Sequence, residues 1–519
     1  DWSLQQQAAS LIVTYGDWQK IPLSLSRVSC LAEPACSMAA KVSIDDAVLP
    51  VGHVSRLRLA STATVSFPET GPRIDVQPGA TLGLSGLKTA AGAVNRIEGK
   101  FASGATLSLV EAGWRFTNES LDLEIETMAL SDEIAVSMPM YLETILASEL
   151  DGALTFNAGV YTPSMQAYFG ERRLALPGFK GKAFVQGSEL GVDLSTVGLH
   201  REGTISAAHD LDTRLGNVEL ENAVVSFDSV NLSSRVSPWS VKSDLVSGTV
   251  SLEFSARWKP DNSRLAINAQ ATVDATELAG YYEDTAFTGG STQVTASYQD
   301  GAGFTTERSW VSVALVETGL PVEDLSADYR LDLNAMRVDV ENLSMSAVGG
   351  VINADPFSFH TDRDSNTLTL RAESIDLSEL LSLQELEAIE VSGSVGATLP
   401  LTIEDGKVTI VNGTMTGEPA GGVIRYTPGT PPDLSDASSI GFATRVLSNF
   451  EFDALTSDVN LTRDGDLNLK LKLTGRNPDL DEKRPVVLNL GVENNIPQML
   501  RSLRAARAVE EVLEKRLGK

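Results

Sequence analysis

Residues 246–258 read VSGTVSLEFSARW, and every second position falls into one set: Val246, Gly248, Val250, Leu252, Phe254, Ala256 and Trp258. The alternate set is Ser247, Thr249, Ser251, Glu253, Ser255 and Arg257. A period of two held this long specifies a β-strand with one apolar and one polar face. It also specifies an unusually long strand, against a common length of about five or six residues. Such a strand leaves one question open, which is what covers its apolar face: a second sheet, a membrane, or something the protein carries.

The pattern recurs along the chain. LDLEIETMAL places Leu121, Leu123, Ile125 and, after Thr127, Ala129 on one face; LAINAQATV does so with Leu265, Ile267, Ala269, Ala271 and Val273. Leu331 and Leu333 alternate with Asp, and Leu399, Leu401 and Ile403 alternate in LPLTI. DLNLKLKLTG sets Leu467, Leu469, Leu471 and Leu473 against Asn468, Lys470, Lys472 and Thr474. Asp300-Gly301, Asp405-Gly406, Asn412-Gly413 and Asp464-Gly465 are tight-hairpin dipeptides, and the whole reads as an antiparallel meander. Helical signals are few. Residues 1–15 read as helix or entry strand, 139–150 as a short helix opening on Pro139, and 376–389 as a clearer one. The terminal 496–519 carries Leu500, Leu503, Val509, Val512 and Leu513 in one stripe and is expected to dock as a helix on the end of the sheet. YTPGTPPDLSDASS (426–439) reads as loop. No linker composition appears, so one elongated body is expected more than several globules.

Composition excludes several function classes. Asp plus Glu number 69 against 41 Lys plus Arg, a net charge of −28, and a chain this acidic repels phosphate backbones; no nucleic acid is expected. No run of about twenty apolar residues is present to cross a bilayer as a helix. The chain opens at Asp1 without Met, and it is expected to be a mature chain or a fragment. The two cysteines, Cys30 and Cys36, flank a proline at a spacing that suits a small disulfide loop of an oxidising compartment, the other reading being two unrelated thiols. The four histidines (His53, His200, His209, His360) are scattered, which leaves no metal-ligand set and little scope for acid–base catalysis. No nucleophile elbow, zinc-protease, phosphate-loop or dinucleotide motif occurs, and the acid pairs Asp45-Asp46 and Glu323-Asp324 read as solvated strand ends. No enzyme and no cofactor are expected.

Three destinations remain for the apolar face. Packing on a second sheet gives a sandwich or solenoid with a solid core, a structural or adhesive protein. An outer-membrane barrel alternates in the same way, but aromatic residues are only 6%, without girdles, and the chain ends in a charged helix. The third destination is cargo. The apolar positions are aliphatic and interspersed with small residues (Gly248, Ala256, Ala269, Ala271), which leaves room between walls of a kind acyl chains would fill.

The last third narrows the choice. IDLSELLSL (375–383), VSGSVGATLPLTIEDGKVTIVNGTMTGEPAGGVIRY (391–426), DLNLKLKLTGRNPD (466–479) and RPVVLNLGVENNIPQMLRSLR (484–504) resemble the C-terminal region of the YdbH family. That family belongs to the AsmA-like group of the Gram-negative envelope, with TamB and YhdP. The resemblance is carried by residues 320–519; residues 1–319 share only strand style. It implies a mostly β fold: an elongated, antiparallel, U-shaped groove of sheet with a few short helices and a C-terminal helix. It implies a periplasmic bridge, anchored in the inner membrane by an N-terminal segment outside this sequence, along which phospholipids travel toward the outer membrane. The groove lining would then be Leu121, Leu123, Ile125, Val246, Val250, Leu252, Phe254, Trp258, Leu265, Ile267, Val273, Leu331, Leu333, Leu399, Leu401, Ile403, Leu467, Leu469, Leu471 and Leu473. The resemblance also implies a small outer-membrane lipoprotein of the YnbE type as partner, adding strands at a C-terminal edge formed by Val486, Leu488, Leu490 and Val492.

Overall fold

The computed structural model describes residues 4–13, 21–30, 35–49, 52–89, 92–129, 134–228, 230–239, 242–261, 264–332, 334–382, 388–419, 421–427, 439–481 and 484–503. These residues are mostly strand, and the pairings between them are antiparallel. The strands are long: Ser243–Asp261 and Arg264–Tyr282 each hold 19 residues, and Gly113–Ala129, Ile134–Leu150 and Ala153–Phe169 each hold 17. Named helices are short: α1 (Leu232–Arg235), α2 (Leu377–Ser382) and α3 (Ser439–Leu447).

The chain divides into two compact units. The first holds Asp1–Val241, Thr249–Val273 and Ser297–Ala302; the second holds Lys242–Gly248, Asp274–Ala296 and Gly303–Lys519. Both are built from neighbouring strands joined by tight turns. At Asp405-Gly406 both residues take positive φ (49° and 72°), and the turn closes the pair Glu404–Lys407. This is the left-handed two-residue turn whose twist matches paired strands, and Asp-Gly tolerates it best. Asp151-Gly152 makes the same turn between Leu150 and Ala153.

Several expectations fail, mostly for one reason. Residues 139–150 are not a helix but part of the strand Ile134–Leu150, paired on both sides. Thr144 has φ 50°, and the register slips between Glu143 and Leu146. This bulge inserts an extra residue and returns Ile145 to the face of Leu142, a three-residue spacing that imitates a helix. Asn412-Gly413 is not a hairpin; it lies inside the strand Lys407–Gly417, where Asn412 (φ 58°) forms another bulge. Asp45-Asp46 and Glu323-Asp324 do not end strands but sit within Ala35–Leu49 and Pro321–Asp332, with Asp46 and Asp324 left-handed. Asn222 and Ser374 repeat the device.

At the termini, the stretch read as helix or entry strand is strand, Leu4–Val13. Of the helix expected over 376–389, α2 (Leu377–Ser382) is present, residues 383–387 lie outside the described residues, and Ile389 is already strand. The end of the tract 426–439 opens α3. Residues 496–503 are helical, started by Asn495, whose Oδ1 accepts from the Gln498 N–H at 3.0 Å; Val509, Val512 and Leu513 lie outside the described residues.

Candidate functional site

Register decides what alternation builds. In the first unit Val42 stands opposite Leu59, Leu59 opposite Leu82, Leu82 opposite Gly99, Gly99 opposite Leu123, and Leu123 opposite Met140. One step along, Leu121 faces Leu142, and the series continues through Val160, Gly181, Leu194, Ile205 and Leu220 to Phe254. The apolar positions therefore join into rows that cross the strands at right angles, with about 4.8 Å per step. The second unit has its own row: Met345, Ile352, Ala372, Ala397, Met415, Ser457, Leu471 and Leu490, each opposite the next.

These rows contain most of the residues singled out by alternation. Leu121, Leu123 and Ile125 lie between the strands Gly92–Phe101 and Ile134–Leu150. Val250, Leu252, Phe254 and Trp258 face Val225, Ala223, Leu220 and Gly216. Gly216 is required there, because a Cβ on it would lie 2.4 Å from the Trp258 ring. The Trp258 Nε1–H donates to His209 Nδ1 at 3.0 Å, which satisfies the one polar atom of that ring. Leu331 faces Val338, and Leu399, Leu401 and Ile403 face Leu370, Leu368 and Asn366. Leu467, Leu469, Leu471 and Leu473 face Asn494, Val492, Leu490 and Leu488. Val486, Leu488, Leu490 and Val492 thus belong to the same apolar face as the strand beside them. Val246 and Ile267 are more open, at 38% and 39% exposure, and Val273 is half-buried. Leu333 and the Leu265 side chain lie outside the described residues.

The face is half-covered. Leu123, Ile125, Val250, Leu252, Phe254, Leu399, Leu401, Leu467, Leu469 and Leu471 are neither exposed nor buried. Leu121 and Leu473, at 8% and 1% exposure, are the buried exceptions.

The polar face carries the charge. Arg73 hydrogen-bonds Asp75 and holds its carboxyl below the ordinary range, and Arg371 does the same for Asp355. A hollow of about 960 Å³ is lined by Lys41, Arg58, Lys100 and Asp122 of this face together with Leu59, Leu82 and Leu123 of the apolar row. No cluster of His, Cys, Asp and Glu able to hold a metal is found among the described residues. Cys30 and Cys36 are directly opposite across the hairpin of the strands Ile21–Cys30 and Ala35–Leu49, and their sulfurs are bonded. No helix among the described residues is long and apolar enough to cross a membrane.

The strand Val486–Asn495 pairs with Asp466–Arg476, and no second neighbour is found for it among the described residues. Sequence reasoning missed α3 and the buried Asn477, whose Nδ2 donates to the carbonyls of Arg445 and Val446 at 3.1 and 3.0 Å. The one available signal was the apolar spacing of Ile440, Ala443 and Leu447 behind a proline-rich tract.

The family model described as YdbH-like, intermembrane phospholipid transport protein YdbH, matches residues 2–518. No curated protein and no solved structure matches this chain.

Proposed function

The chain belongs to the YdbH-like family, a lipid-transport family of the cell envelope, and from that premise we propose that its apolar rows are the path on which phospholipid tails move. The observation that carries this reading is the register: one apolar residue stands opposite the next across strand after strand while the face stays half-covered. Each buried methylene of a tail gains about 0.8 kcal/mol, and successive strands along an open row offer similar burial. Moving by one strand therefore changes the energy little, and transport is diffusion along a nearly level path whose direction is set by the membranes at its ends. No catalytic residue is needed.

On this reading the full protein is held in the inner membrane by a segment outside this sequence and crosses the periplasm with its headgroup-facing seam in water. The unpaired edge of Val486–Asn495 presents N–H and C=O groups that recruit a strand. Strand addition by a small outer-membrane lipoprotein would satisfy that edge and prolong the apolar rows. A photo-crosslinking amino acid at Leu490, in cells, should trap such a lipoprotein. Products confined to this chain's own residues would overturn that partner.

The path itself is tested by the same chemistry at Leu123 and Leu469, compared with Asp122 and Lys470 on the other face. Phospholipid adducts are expected at the first pair and not at the second. Equal labelling of both faces would sink the reading.

A further inference from the structure

The apolar face of the second unit is not uniform. Along its strands run two outer rows, one toward each end. One holds Leu368, Leu401, Ile410, Leu461 and Leu467, each opposite the next across the sheet. The other holds Ile375, opposite Val395, and Leu455, Leu473 and Leu488, again each opposite the next. Four of the five residues of the first row are half-buried. In the second row Val395 and Leu473 are each 1% exposed.

What covers the second row is α3. Val446 is 1% exposed and packs in one cluster with Ile375, Val395, Leu455, Leu473 and Leu488, with Leu447 beside it. Phe450, three residues beyond the helix, is fully buried in the same cluster. The helix is also fastened at its end. Asn477, 2% exposed, donates from one Nδ2 to two of the last carbonyls of α3, and these would otherwise lack intrahelical partners. α2 adds Leu377 at the margin of the same cluster.

We infer that α3 is a cover seated on one end of the apolar face, so that in the second unit the rows of Leu401, Leu467 and Leu469 stay open to cargo tails, and the row of Leu455 and Leu488 becomes available only when α3 lifts. This rests on the lipid-path reading above and locates the path within it. A helix of nine residues is too short to be stable by itself in water, so its order depends on the apolar row beneath it. Helix and tail therefore compete for one surface.

The test places a photo-crosslinking amino acid at Leu401, Leu467, Leu455 or Leu488 of the protein in cells and identifies the products by mass. Phospholipid adducts are expected at Leu401 and Leu467, with at least tenfold fewer at Leu455 and Leu488, where the product should be an internal link to 439–447. Val446→Asp should raise lipid adducts at Leu455 several-fold. Hydrogen exchange of the unsubstituted chain is a second measurement that no misfolded variant can confuse: amides of 443–447 should be protected as strongly as those of the strand Asp466–Arg476. Equal lipid adducts in both rows, or unprotected α3 amides, would overturn the cover while leaving the lipid path intact. Lipid adducts at none of the four positions would overturn both.

Discussion

One strand, Asp466–Arg476, separates the contributions of path, surface and core by three substitutions. Leu469 is half-buried, opposite Val459 and Val492 in the apolar face. Lys470 is exposed on the other face, and Leu473 is 1% exposed beneath α3. Leu469→Asp puts a carboxylate where, on the proposed path, a tail must pass. If the hydrated carboxylate denies about four methylenes their apolar contact, the loss is about 3 kcal/mol at 0.8 kcal/mol each. A step of that height slows passage about a hundredfold. Lys470→Asp alters only solvated charge and should change passage by less than twofold. Leu473→Asp buries a carboxylate in the core and should destabilise the second unit by about 4 kcal/mol or more, so that it fails at folding. The assay is the arrival of newly made, pulse-labelled phospholipid at the outer membrane in cells that depend on this protein, with protein abundance measured in parallel. If Leu469→Asp accumulates normally and passage matches that of Lys470→Asp, tails do not ride on this face.

Other outcomes follow from single groups. Asn477→Ala removes the Nδ2 donor to the buried Val446 carbonyl and one of two side-chain donors to the Arg445 carbonyl, which keeps the Ser448 hydroxyl, and should cost about 1–3 kcal/mol in urea unfolding of the chain. The Glu418 carboxylate accepts from the hydroxyls of Ser394 and Ser374 and from the Ser374 N–H, which holds its pKa below the ordinary carboxylate value. Because the folded pKa is the lower one, that contribution is complete above the unfolded value of about 4.3 and is lost as pH falls through the folded one. Glu418→Gln should therefore flatten the acid limb of a stability–pH profile below about pH 4. Reducing Cys30–Cys36, or Cys36→Ser, opens a short loop and should cost about 2 kcal/mol, read as a lower denaturation midpoint of the first unit.

Much of the fold was legible because the dominant interaction is periodic. Alternation at Leu467–Leu473 or Val250–Trp258 fixes strand and face together, and the Asp-Gly turn at 405–406 fixes the pairing across it. Bulges were not legible. An extra residue at Thr144 or Asn412 shifts the phase of the alternation, so that a paired strand mimics a helix in one case and a hairpin in the other. Propensity cannot resolve these cases, because the partner strand supplies the energy. The apolar face proposed as the path was legible as a set of alternating positions but not as rows, since rows depend on register between strands, and register follows from the turns and bulges. α3 was hidden for a different reason. Its worth lies in Val446 and in the distant Asn477, neither of which stands out in a local reading of 439–447.

A sheet that carries cargo has to be stable without burying its apolar face. Here the backbone ladders of long strands hold each unit together, and both edges of most strands are satisfied by neighbours, so the apolar side chains need only be half-covered. That state is unfavourable in water unless something occupies the face, which on the proposed path would make the lipid part of the energetics as well as the freight. The charge of −28 acts in the same sense, since a net charge this far from zero makes such chains repel one another. The exception in the second unit obeys the same physics. Where the row of Leu455, Leu473 and Leu488 is fully covered, the cover comes from the chain itself, through Val446 and Phe450. A surface that must be occupied has been given an occupant, and a tail that reaches it has to displace that occupant first.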